Sequence, residues 1–293
     1  MLNDLASLLL QIEESLKQHL PTNSQIAQPM LEAMNYAVMG GGKRLRPMLV
    51  CAGSEAFGGD YKSALPAGCA FEFIHAYSLI HDDLPAMDDD DLRHGRASTH
   101  VAFGEANAIL AGDSLHSLAF QSISEAANIS PTSKLRIINL LSKAAGWHGM
   151  SGGQCLDIEA EGKLLTLAEL KMLHAAKTGA LIKSALEVGA LCAEADTTST
   201  AYKAISEFGA KIGLAFQIVD DILDVTQTSE TLGKPAGSDE GLNKNTFPRL
   251  LGLDESKNKA EDLLQEAMAL LEQNNLKTPL LEALANRAVH RTF

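Results

Sequence analysis

Leucine and isoleucine recur along the first stretch of the chain at Leu2, Leu5, Leu8, Leu9, Ile12 and Leu16, the three-to-four spacing of one helix face. This pattern predicts an amphipathic first helix that ends before Pro21. A second helix, 29–39, stops at Gly40, Gly41 and Gly42. Helical periodicity then continues over 46–57, 62–82, 98–127, 131–149, 166–190 and 198–225. Strand alternation is almost absent. No proline occurs between Pro131 and Pro235, which permits long helices, while glycine and serine at intervals permit close packing or bends. The expected fold is all-α. No linker or repeat interrupts the pattern, so residues 1–293 are expected to form one domain. The polar stretch 226–245 suits a flap over a site better than a boundary.

Composition narrows the possibilities. With 293 residues, 46% of them hydrophobic, the chain can bury a substantial core. A net charge of −13 argues against nucleic acid and anionic membrane surfaces as partners, so an anionic substrate would need local cations. Cys51, Cys69, Cys155 and Cys192 lack C-x-x-C spacing and read as reduced core residues. The N-terminal stretch mixes acids into its apolar positions without a basic start or cleavage site, and no later apolar run reaches a membrane span. A cytoplasmic protein is expected.

Two acidic clusters stand out. The first, DDLPAMDDDDLR over 82–93, ends the apolar run AFEFIHAYSLIH; the second, in FQIVDDILDV, carries Asp220, Asp221 and Asp224. On a helix Asp220 and Asp224 project together with Gln217 and Asp221 beside them, so one face is expected to present three carboxylates. Asp82 and Asp88 are six apart and cannot share a face of a continuous helix. Pro85 predicts the necessary break, since it lacks an N–H and pushes Leu84 out of helical geometry, letting the chain fold back. Carboxylates near helix C-termini sit against the negative end of the macrodipole and call for a compensating cation. Oxygen ligands without His or Cys suit Mg²⁺ shared with phosphate. A solvated acidic loop would explain one such run; two, each following an apolar helical segment, favour a site. An EF-hand is excluded, because position six counted from Asp88 is Arg93 instead of Gly.

Lys43, Arg44 and Arg46 follow the three glycines, either as exposed bases beyond a helix C-cap or as a cradle where backbone approaches a ligand. The Walker pattern does not fit, as no Ser or Thr follows the lysine. His75 shares a helical face with Leu79, Asp82 and Asp83, where a lone histidine is also commonly structural. Lys177 has Leu170, Leu173, Ala180 and Leu181 as helical neighbours, so its ammonium needs an anion, either Asp157 or a substrate. Thr178 and Gln217 are ordinary helix residues by pattern.

The strings GGKRLRP, DDLPAMD, ILAGD, GGQCLDI, KTGAL, DDILD and LGK, in that order, give the chain a specific resemblance to the trans-prenyl diphosphate synthases, most closely to bacterial farnesyl-type members, over nearly its whole length. The resemblance implies a single large helical bundle of the isoprenoid synthase type with a central cavity, working as a homodimer. It implies head-to-tail condensation of isopentenyl diphosphate with dimethylallyl or geranyl diphosphate. Asp82, Asp88 and Asp220 would hold Mg²⁺, three ions per site with substrate bound, and Asp83 and Asp224 would act through metal-bound water. Lys177, Arg93 and Lys234 would stabilise the departing diphosphate, with Thr178 and Gln217 placing oxygens beside a carbocation. Lys43, Arg46, His75 and His94 would hold the second diphosphate, and Lys244 joins the substrate-binding set. Asp113, Gln154 and Asp157 also lie in family-like strings and read as supporting or packing residues. DLRHG stands where the resemblance implies DLRRG, which puts titratable His94 in place of an arginine, with Arg96 as an alternative cation. Tyr77 and Ser78, one turn and more before Asp82, are the implied chain-length residues. Competing readings are a geranylgeranyl diphosphate synthase, a class I terpene cyclase, against which the second DDILD argues, and a noncatalytic acidic subunit.

Overall fold

A computed structural model describes residues 5–226 and 245–290. The order is α1 (Leu5–His19), α2 (Gln28–Met39), α3 (Leu45–Ala56), α4 (Tyr61–Asp82), a two-stranded hairpin β1 (Leu92–Arg93) and β2 (Arg96–Ala97), α5 (Thr99–Phe103), α6 (Glu105–Glu125), α7 (Pro131–Ala145), α8 (Met150–Ala160), α9 (Leu167–His174), a π-helical turn Ala175–Gly179, α10 (Ala180–Cys192), α11 (Thr200–Thr226), α12 (Phe247–Leu251), α13 (Leu253–Gln273) and α14 (Pro279–Val289). The all-α expectation holds. Lys234 and Lys244, and nearly all of the stretch read as a flap, lie outside the described residues.

Helix α4 forms the centre because it is apolar on every side: Ala64, Ala67, Ala70, Phe71, Phe73, Ile74 and Ile80 are all buried. Helices α1, α3, α6 and α10 pack around it. Small residues let α3 and α10 approach closely, since a Cβ added to Gly189 would lie 2.8 Å from the Gly53 Cα. A second cluster, including Leu170, Ile218, Ile222, Phe247 and Leu263, joins the C-terminal half of α11 to α9, α12 and α13. Among the described residues no helix is long and apolar enough to cross a membrane.

Several expected elements are divided. The run 98–127 is two helices, because Gly104 adopts φ +83° between α5 and α6. The run 131–149 ends at Ala145 before Gly146, and 166–190 is interrupted by the π turn. The hairpin was not foreseen, since two residues per strand give no alternation. Its turn residues His94 (φ 53°) and Gly95 (φ 73°) are both left-handed, the geometry of a tight two-residue connection. Cys155 is exposed, correcting its reading as a core residue; burial pushes up the thiols of Cys51, Cys69 and Cys192.

Candidate active site

The C-terminus of α4 behaves as Pro85 requires. The helix stops at Asp82 and the chain turns back, so that the Asp88 N–H donates to the Asp82 carbonyl at 2.8 Å and the Asp90 N–H to the Asp83 carbonyl at 3.2 Å. Burial pushes the Asp82 carboxyl up to about 6; Lys177 opposes that rise, while neighbouring Asp88 adds to it. Asp83 is buried and paired with Arg93, which also reaches Asp90 at 3.4 Å. Among the described residues no group of three or more His, Cys, Asp or Glu converges to hold a metal ion by itself. Crowded carboxylates with a raised pKa fit a hard cation that completes its shell with water and substrate oxygens.

A group of basic residues is electrostatically coupled to the acidic clusters, Arg46 to Asp220 directly and His75 to Arg93, the partner of Asp83. Arg46, on the first turn of α3, has its Nε buried with no partner among the described residues, as does the Nδ1 of His75 on α4. Burial lowers the pKa of Arg46, countered by the Glu72 and Asp220 charges. His75 is driven well below its usual range by burial and then by Arg46, His94, Arg93 and Arg44. A buried guanidinium nitrogen and a buried imidazole nitrogen, both without a hydrogen-bond partner among the described residues, make a place for an anion. Lys43 is exposed. Arg44, grouped with these cations in the sequence, serves the fold instead: held at φ 49°, it is buried against Glu13 and Glu72, each at 2.7 Å, and the Val38 carbonyl at 2.7 Å. Arg96 lies with its guanidinium carbon 4.1 Å from the Tyr36 ring centroid.

The third part is the π turn, which carries Lys177 and Thr178. Close approach holds it in place: a Cβ at Gly213 of α11 would lie 3.0 Å from the Gly179 Cα, and a side chain at Gly153 of α8 would strike the Lys177 backbone. Lys177 donates to Asp157 at 2.6 Å while still bearing on Asp82, so the Asp157 pairing left open by the sequence is present. Thr178 donates to the Gln217 amide oxygen at 2.8 Å. Asp221 corrects the expectation of three carboxylates on one presented face. It is buried and accepts from His174 at 3.2 Å and from the Phe247 N–H at 2.9 Å. Asp224 is buried too, whereas Asp220 remains partly accessible.

A model of the family described as "Polyprenyl synthetase" matches residues 27–284. The chain belongs to the polyprenyl synthetase family. It is 49% identical over 268 residues to the farnesyl diphosphate synthase of Escherichia coli strain K12, covering 90% of this chain and 89% of that protein. Its fold matches an FPP/GFPP synthase from Zymomonas mobilis with a TM-score of 0.85 at 37% identity, over 97% of this chain and 96% of that one. A geranyltransferase from Helicobacter pylori, complexed with magnesium and isoprenyl diphosphate, matches with a TM-score of 0.85 at 33% identity, over 97% and 94% of the two chains.

Within this polyprenyl synthetase fold, Tyr77 stands on the same unbroken helix as Asp82, half-buried, with its ring edge-on to His116 at 5.1 Å and to His81 at 5.7 Å. Ser78 is buried and its hydroxyl donates to the His75 carbonyl at 2.9 Å. Asp113 is exposed on α6 and Gln154 buried on α8. His174 and its bond to Asp221 were missed. The available signal was spacing: His174 lies one helical turn before Lys177, and its partner lies within the second acidic cluster.

Proposed function

We propose that this chain condenses isopentenyl diphosphate with dimethylallyl or geranyl diphosphate, head to tail, to give (2E,6E)-farnesyl diphosphate and pyrophosphate. One observation carries the reading: a carboxylate cluster calling for a cation, and apart from it two buried nitrogens without a hydrogen-bond partner among the described residues, Arg46 Nε and His75 Nδ1, suit two diphosphates bound in different ways. A cyclase needs only the first. The 49% identity to a farnesyl diphosphate synthase supports the product. Residues 1–293 act as one domain of a cytoplasmic homodimer, and exposed Val101, Ile109 and Leu110 on α5 and α6 offer the apolar face that a second copy would cover.

Asp82, Asp88 and Asp220 would hold Mg²⁺. When bound, it supplies positive charge against the departing diphosphate. Lys177 and Arg93 add fixed cations on that side, and both are stored beforehand as ion pairs, with Asp157 and Asp83. Lys234 is assigned the same task and Lys244 a substrate contact. As the allylic C–O bond breaks, the Thr178 and Gln217 oxygens face the cationic carbon. Arg46, His75, His94 and Lys43 orient isopentenyl diphosphate so that its double bond forms the new C–C bond, and the released diphosphate takes the proton. The apolar surroundings exclude water that would quench the cation. Mass spectrometry of the products tests the reading: fifteen-carbon diphosphate is expected from either allylic primer. Twenty-carbon product points to a geranylgeranyl synthase, release of pyrophosphate without isopentenyl diphosphate to a cyclase, and no release to a noncatalytic subunit.

His94 gives this site a pH dependence. Partial burial, then Arg93, Arg44 and Lys43, lower its pKa from the usual value, so it is mostly neutral at pH 7 before substrate arrives. A bound diphosphate raises that pKa, and binding then takes up a proton. Affinity is therefore greatest at low pH and falls as pH rises through the pKa of the complex, by ~10-fold for each unit of the rise. The KM for isopentenyl diphosphate is expected to climb between pH 6 and 8 in wild type, and to climb less in His94→Arg. Identical pH profiles would place His94 outside the site.

A further inference from the structure

One carboxylate of the second acidic cluster is committed inside the protein. Asp221, 4% exposed, accepts at Oδ2 from His174 Nε2 at 3.2 Å and from the Phe247 N–H at 2.9 Å, and at Oδ1 from the Gln217 amide nitrogen at 3.4 Å. The Gln217 amide oxygen accepts from the Thr178 hydroxyl at 2.8 Å. His174 is itself buried, lies directly before the π turn, and stacks on the Phe247 ring at 5.7 Å.

We propose that His174, acting through Asp221, is a positioning residue that holds Gln217 with its amide oxygen, and not its amide nitrogen, on the Thr178 side where the carbocation forms. The inference rests on the proposed condensation. The two ends of an amide have nearly the same shape and opposite polarity, so sterics alone cannot choose between them. An ionised carboxylate can only accept, so Asp221 must face the NH₂ and directs the oxygen to the other side. A carboxylate alone could rotate away; two donors on Oδ2 prevent that. Since Asp221 accepts, His174 must donate from Nε2, which fixes its tautomer. A flipped Gln217 would turn the positive end of its dipole toward a developing cation and slow the ionisation step, with little effect on binding of either diphosphate.

The test is a double-mutant cycle read as kcat and KM, with thermal melts of every variant. His174→Phe keeps an aromatic ring against Phe247 and removes the donor; His174→Gln returns a donor near the Nε2 position. His174→Phe is expected to lower kcat roughly 10- to 100-fold. Both KM values should stay within about twofold of wild type. His174→Gln should recover most of the loss, and in a Gln217→Leu background His174→Phe should lower kcat no further. A folded His174→Phe enzyme with wild-type kcat, an equal loss in both backgrounds, or no recovery in His174→Gln would overturn the assignment. If His174→Phe melts below the assay temperature, Asp221→Asn, which can offer an NH₂ to Gln217, replaces it in the cycle: a loss that vanishes with Gln217→Leu supports the relay, and an undiminished loss refutes it. Wild-type protein that makes no prenyl product overturns the condensation itself and the positioning with it. Altered ratios among variants of an active enzyme bear on the positioning alone.

Discussion

Asp82→Ala and Asp220→Ala are each expected to reduce turnover by at least about 10²-fold, the scale seen when a group that stabilises transition-state charge is removed, while leaving the helical fold intact. The fold should survive because neither side chain supports packing: Asp82 ends α4 and Asp220 is only partly buried on α11. For Asp82 the structure adds a second effect of opposite sense. Burial and neighbouring carboxylates raise its pKa to about 6, above the unfolded value of ~3.9. The folded state therefore holds this proton more tightly, and ionised Asp82 opposes folding. The penalty is absent below the unfolded pKa, grows through the window up to about 6, and is complete above it. In metal-free buffer at pH 8, Asp82→Ala should thus melt above wild type, and the difference should shrink at pH 4. Activity near the wild-type rate at saturating Mg²⁺ would remove either residue from the metal site.

These effects were largely legible in advance because the features behind them are local. Pro85 dictates the end of α4 and the return of Asp88 through missing hydrogen bonds alone, and the structure shows that return as the Asp88 N–H on the Asp82 carbonyl. Apolar spacing likewise predicts most helices, since burial of one face is written into each segment. What the pattern could not supply was long-range pairing. Arg44 looks like Lys43 and Arg46 in the sequence, but its fate is decided by Glu13 and Glu72 on two other helices. Asp221 looks like Asp220 until α9 and α12 pack against it. The π turn is equally invisible, because five residues of wider helix preserve the apolar neighbours of Lys177 while shifting its angular position. Such turns concentrate at functional sites, and this one carries both Lys177 and Thr178.

Product length is expected to change in Tyr77→Ala, from fifteen carbons toward ~20 or more, with activity retained. Five residues on a continuous helix put Tyr77 ~7.5 Å from Asp82 along the axis, on the path proposed for a prenyl tail leading away from the carboxylates. Its ring is braced rather than loose: His116 meets it edge-on at 5.1 Å, and Phe120 meets His116 at 5.2 Å, so the three rings form a ladder from α4 into α6. Burial raises the pKa of the phenol, and Ser151 of α8 opposes that rise. Bracing is what a floor requires, since an unsupported ring would yield to the growing tail. It is also what a structural aromatic would show, and the two readings separate on mutation. A purely structural Tyr77 would leave the product at fifteen carbons and cost stability, by less than the ~3–5 kcal/mol of a fully buried aromatic because the ring is only half-buried. A floor would lengthen the product at modest cost in stability, and His116 and Phe120, now uncovered, would set the next limit. Mass spectrometry of the products, with a thermal melt of the same protein, decides between them. A folded, active Tyr77→Ala enzyme that makes only fifteen-carbon product would end the floor assignment and move chain-length control to another wall of the site.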